Sequence, residues 1–213
     1  MTIELSHIGE PLVARMLASL ASRGRLAEVR CAVFGDSLES DLDTGPPEFI
    51  ADRALLKVRA AGQEYACNGA QAVDVLAVAG GTATAVELKL GLTRMSRSAF
   101  RGRFCHPCGI SGHADSRLTG SMVAVLDRLL PFAGGRVSAV DGHRTWDLSE
   151  RWWLVIRQQI WRSWRNQLPV NAARILVFDR LASLYGDAAE FDQLVRDIVG
   201  GDFAARWQIA FDE

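Results

Sequence analysis

The chain has 213 residues, 23% charged and 49% apolar, with a formal net charge of -1. That length suits one medium domain with a substantial core, and the charge balance excludes binding to a polyanion through global charge, so any nucleic-acid affinity must come from local segregation. Four cysteines do not make a disulfide scaffold here, no signal-peptide pattern or apolar membrane span is present, and a reduced, cytoplasmic protein with no membrane contact is expected.

Residues 11–30 read as a helix, with Leu12, Met16, Leu20 and Leu26 among alanines and arginines. An acidic stretch follows, with Asp36, Glu39, Asp41 and Asp43, and reads as an exposed loop. It ends at Gly45-Pro46-Pro47. Proline is tolerated in a first helical turn, so a second helix is expected there, carrying Glu48, Ile50, Ala51, Leu55 and Leu56. Residues 63–68 read as a short strand and 71–89 as a hairpin. Residues 92–114 read as a loop or short irregular helix. A helix is expected over 116–130, with Leu118, Met122, Val125, Leu126 and Leu129 on one stripe. Gly134-Gly135 and Asp141-Gly142 punctuate a glycine-rich connection. In the last third, residues 152–156 read as a strand, 158–168 as a helix, 173–178 as a strand and 187–199 as a final helix. Strands alternating with helices indicate an α/β layer architecture in a single domain, 1–213.

The hairpin is the most informative element. β-Branched and small apolar residues flank Gly80-Gly81, a two-residue turn signal. With the turn there, Ala79 faces Thr82, and the same register sets Asp74 opposite Glu87. Side chains alternate faces, so Glu87 and Lys89 share one face and Leu88 points to the other. Two carboxylates and one ammonium then converge on an otherwise apolar hairpin. Like charges directly opposite one another are destabilising, and a divalent cation removes the conflict. The competing account is a cross-strand ion pair on a solvated face, worth little.

Helix, strand, strand bearing Asp74, strand bearing Glu87-Leu88-Lys89, helix, strand: this order resembles the PD-(D/E)XK nuclease superfamily, the restriction-endonuclease-like fold. The resemblance covers roughly residues 46–180. Val73 stands where the family has proline before the aspartate. It implies a mixed central sheet flanked by helices (an αβββαβ core) and a Mg2+- or Mn2+-dependent deoxyribonuclease. It also implies Asp74, Glu87 and the Leu88 carbonyl as metal ligands, and Lys89 as the catalytic lysine. Glu48 resembles the auxiliary helix carboxylate of the family, with Glu39 as a competitor for that role. Genome defence, restriction or DNA processing is the setting implied. A member of the same fold that binds nucleic acid or protein without catalysis is one alternative, and a zinc-binding protein centred on Cys105 and Cys108 is another.

From Leu88 to Ala114 there is no acidic residue, while Arg94, Arg97, Arg101 and Arg103 follow Lys89. Such segregation suits contact with a DNA backbone, to which Ser96 and Ser98 would add hydrogen bonds. Arg117 stands at the start of the 116–130 helix, with Asp115 or Ser116 as N-cap and His113 nearby, a natural place for an anion. Cys105-His106-Pro107-Cys108 is a C-x-x-C that would hold Zn2+ with His106 or His113, or stand as free thiols in a loop. Trp152, Trp153, Trp161 and Trp164 lie among arginines. The spacing of Trp161, Trp164 and Leu168 is helical, which favours packing in the core or at a homodimer interface over base stacking.

Overall fold

The computed structural model describes residues 2–42, 45–51, 54–60, 63–66, 72–91, 96–97, 126–127, 137–168, 173–200, 204–206 and 209. In chain order its strands are β1 (Thr2–Glu4), β2 (Glu48–Ile50), β3 (Ala54–Ala60), β4 (Gln63–Ala66), β5 (Ala72–Val73), β6 (Val75–Ala79), β7 (Thr82–Lys89), β8 (Val137–Asp141), β9 (Arg144–Leu148), β10 (Trp152–Ile156), β11 (Ala173–Val177) and β12 (Ala204–Arg206). Its helices are α1 (Leu5–Ser22), α2 (Gln158–Trp164), α3 (Phe178–Tyr185) and α4 (Ala188–Val199).

The architecture is mixed α/β, as the sequence implies. β2, β6, β7, β10 and β11 lie side by side in chain order, and β6 runs against the other four. A second ladder continues the same sheet: β3 pairs antiparallel with β4, β5 and β8, β8 pairs with β9, and β9 joins the start of β7 in parallel at Thr82 and Ala83. β1 and β12 form a separate parallel pair.

Both faces of β6, β7 and β10 are covered, which is why these segments read as nearly unbroken apolar runs. Val75, Ala77, Val86, Trp153 and Val155 face a core shared with α1, α3 and α4. Leu76, Val78, Ala83, Ala85, Trp152 and Leu154 face the other way, against Val137 and Ala139 of β8 and against Trp161, Trp164 and Leu168. Phe178 and Phe191 close the helical side edge to face, 6.2 Å apart. The tryptophans at 152, 153, 161 and 164 therefore pack inward.

Several elements differ from the expectation. α1 begins at Leu5, not at residue 11, and Pro11 sits inside it. Proline there gives no N–H to the His7 carbonyl, a loss offset by burial of Leu12, Met16, Leu17 and Leu20. The helix stops at Ser22, and Gly24 takes a positive φ of 66° just beyond. The helix expected after Pro46-Pro47 is absent: Glu48–Ile50 is a strand opposite Val78, Ala77 and Leu76, and Ala54–Ala60 is another. Pairing with β6 and β8 overrides a local helical pattern in that stretch. The expected connection over 134–142 contains β8, and a turn at Gly142, with φ of 55°, leads into β9.

The acidic stretch is solvated only in part: Asp36 and Glu39 are exposed, whereas Asp41 turns inward. The Asp41 side chain is only 1% exposed, and its carboxylate accepts hydrogen bonds from Arg151 at 3.1 Å, from Arg174 at 3.2 Å and from Trp153 Nε1 at 3.1 Å. Asp36 takes the other arm of Arg174 at 2.8 Å. These bonds tie the segment that follows α1 to β10 and β11. Among the described residues no helix is long and apolar enough to cross a membrane.

Candidate functional site

The hairpin register is the one read from the sequence: Ala79 pairs with Thr82 and Val75 with Val86. At Asp74 the chain changes partners. Ala72 and Val73 pair with β3, whereas Val75 onward pairs with β7. Asp74 stands at that break, so its carboxylate does not lie in a regular pair opposite Glu87. Instead its Oδ2 accepts the backbone N–H of Leu88 at 2.7 Å. A carboxylate bound to the amide between Glu87 and Lys89 is held beside both of them.

Glu87 and Lys89 share a face, as the period of two requires, and Leu88 packs with the α1 side of the core. Lys89 Nζ donates to Glu87 Oε1 and, at 3.0 Å, to the Leu88 carbonyl. The side chain of Glu87 is only 5% exposed, and its second oxygen, Oε2, is buried with no hydrogen-bond partner. Burial pushes the Glu87 carboxyl up to about 7, with the Asp74 and Glu10 charges adding to the rise and Lys89 opposing it. An orphaned buried carboxylate oxygen at the centre of such a group is a place where a further positive charge is stabilised.

A cavity of about 310 Å³ opens here, lined by Asp74, Leu88 and Lys89 from the sheet and by Ser6, Gly9 and Glu10 from α1. The approach of α1 depends on small residues. A side chain at Gly91 would bring its Cβ within 2.8 Å of Ser6 Cβ, and one at Gly9 would meet Leu90 at 3.1 Å. Glu10 is the site residue that sequence reasoning missed. A carboxylate between the apolar residues Ile8 and Leu12 was the available signal.

The structure does not bring Glu48 to this group. It is exposed on β2 opposite Val78, four residues along β6 from Asp74, and it is paired with Arg144 at 3.0 Å. Glu39 lies in a short 3-10 turn, Leu38–Asp41, and is exposed. Arg97 is exposed. Arg94, Arg101, Arg103 and Arg117 lie outside the described residues, as do Ser98, Cys105, His106, Cys108, His113, Asp115 and Ser116.

Among the described residues no three His, Cys, Asp or Glu side chains are gathered closely enough to hold a metal ion by themselves. Magnesium does not require that. It is bound through one or two carboxylates, with water and substrate oxygens filling its shell. Asp74, Glu87 and the Leu88 carbonyl are a hard-oxygen set of that size, and the orphaned Oε2 is the feature a cation would satisfy. No family of known proteins, no curated protein and no solved structure matches this chain.

Proposed function

We propose that this chain is a magnesium-dependent nuclease of the PD-(D/E)XK kind that hydrolyses phosphodiester bonds of DNA. The observation that carries the reading is the convergence of Asp74, Glu87 and Lys89 around the backbone of residue 88, with Asp74 and Lys89 at the wall of one polar cavity and Glu87 buried behind it. The order of elements supports it. α1 precedes three strands that lie side by side, β2, β6 and β7, and β10 then joins β7; β3–β5 intervene in the chain between β2 and β6, and Leu126 and Asp127, helical, with β8 and β9 between β7 and β10. That is the restriction-endonuclease-like reading, with its first helix at residues 5–22 instead of after Pro47.

Asp74 and Glu87 would hold the cation with the Leu88 carbonyl. When bound, the ion supplies neutralisation of charge on the reacting phosphate and acidification of a water. Asp74, fixed by the Leu88 amide, keeps one acidic oxygen set at a defined position beside the strand. Glu87, sealed from solvent, gives its neighbours a low-dielectric surrounding in which charge interactions are strong. Lys89 lines the cavity, where its ammonium would orient the attacking water and offset negative charge on the phosphate, or its neutral amine would instead take the water's proton. Glu10 faces the same cavity from α1 and is placed to hold a water or a second ion.

An assay on plasmid and single-stranded DNA tests the reading: cleavage is expected with Mg2+ or Mn2+ and none with EDTA. Cleavage that persists in EDTA refutes it.

A further inference from the structure

The Lys89 ammonium donates to Glu87 Oε1 and to the Leu88 carbonyl oxygen. Under the proposed function these are two of the oxygens that would face a divalent ion. We propose that Lys89 is the resident cation of this site, so that its amine and a divalent ion exclude one another from Glu87, and loading the ion drives the amine outward into the cavity. This rests on the reading of Asp74 and Glu87 as metal ligands.

Three observations carry it. First, Lys89 spends two donors on these oxygens, both within its own strand segment, and is 13% exposed. Second, Glu87 is buried with Oε2 unpartnered, so the ammonium satisfies only half of the carboxylate, and a doubly charged ion binds it better than a single amine does. Third, the same lysine also lines the 310 Å³ cavity, so a displaced amine has space and solvent within reach of its stem. Two positive groups sharing Oε1 repel at close range, so the arrangement has two states, and ion occupancy selects between them. The consequence is regulatory: the amine is withheld from substrate until the ion is in place.

Two measurements on the full chain test this, both free of any cleavage readout. Mn2+ binding is followed by titration in the wild type and in Lys89→Met, and amine reactivity of Lys89 is mapped by lysine-selective labelling with and without Ca2+. Lys89→Met is expected to bind Mn2+ about tenfold tighter or more, the size of an ordinary coupling between competing ligands. In the wild type, Ca2+ is expected to raise labelling of Lys89 severalfold while Lys57, the other lysine of the chain, stays unchanged. Equal or weaker Mn2+ affinity in Lys89→Met, or labelling of Lys89 that Ca2+ leaves unchanged, overturns the exclusion and leaves the metal site standing. Absence of Mn2+ binding in both proteins overturns the metal site itself. The labelling arm uses only the wild type, so a poorly folding variant does not block the test.

Discussion

Asp74 binds the amide of Leu88 rather than standing free across from Glu87, and this one hydrogen bond of 2.7 Å ties the break between β5 and β6 to the acid–lysine strand. The carboxylate thus has a structural and a chemical role that substitution can separate. Asp74→Asn keeps an oxygen that accepts the Leu88 N–H but removes the charge. It is expected to fold with a melting temperature near the wild type and to lose cleavage by roughly a hundredfold or more. Asp74→Ala is expected to lose cleavage too, and also about 1–3 kcal/mol of stability, because the amide is left unsatisfied. Urea unfolding and cleavage rates on the same preparations check both.

Glu10 and Glu48 offer a second contrast. Glu10 shares the cavity with Lys89, whereas Glu48 pairs with Arg144 at an exposed position away from it. Glu10→Gln is expected to reduce cleavage by about tenfold or more. Glu48→Gln is expected to leave cleavage unchanged and to alter stability by no more than about 0.5 kcal/mol. Rates measured at saturating Mg2+ distinguish the two.

Stability without metal should depend on pH through Glu87. Its carboxyl is raised from 4.5 to about 7 in the folded chain, so between those values the folded state keeps a proton that the unfolded state has released. The stabilisation from this group is therefore full below 4.5 and is lost as pH rises through about 7. In EDTA the urea midpoint is expected to fall across that window, and in Glu87→Gln the fall should be absent. Saturating Mg2+ at neutral pH should raise the midpoint of the wild type and leave that of the variant unchanged.

Asp41 gives a prediction about stability alone. Its side chain is 1% exposed and receives Arg151, Arg174 and the Trp153 indole. Asp41→Ala leaves the Nε–H of the largely buried Arg174, whose other arm keeps Asp36, and the Trp153 indole N–H without their acceptor, and is expected to cost about 3 kcal/mol. Cleavage per folded molecule should be unchanged, since Asp41 does not line the cavity. Chemical denaturation with cleavage assays at low temperature measures the two effects.

The sequence carried the hairpin between Val75 and Val86, because a period of two around Gly80-Gly81 allows one register that buries both apolar faces. It also carried β10, β11 and the helix starting at Ala188, whose N-cap Asp187 accepts from the N–H groups of Ala189 and Glu190. It did not carry β2 or β3. Glu48–Ile50 is too short to show alternation, and Ala54–Ala60 is held by partners on both edges that only the folded chain supplies. The same error moved the proposed auxiliary acid: a helix expected after Pro47 offered Glu48, while the helix that lines the cavity is α1, which carries Glu10. Asp74 was placed by register alone, and the switch from β3 to β7 that turns its carboxylate onto Leu88 is a long-range event no local pattern records.

Crystals of the full chain soaked in Mn2+, with anomalous diffraction recorded, put the shared-cation claim to its most direct test. The expected result is a single peak at about 2.1 Å from an oxygen of each of Asp74 and Glu87, as for a hard divalent ion. A peak touching neither carboxylate, or none in the cavity beside Lys89, would contradict it.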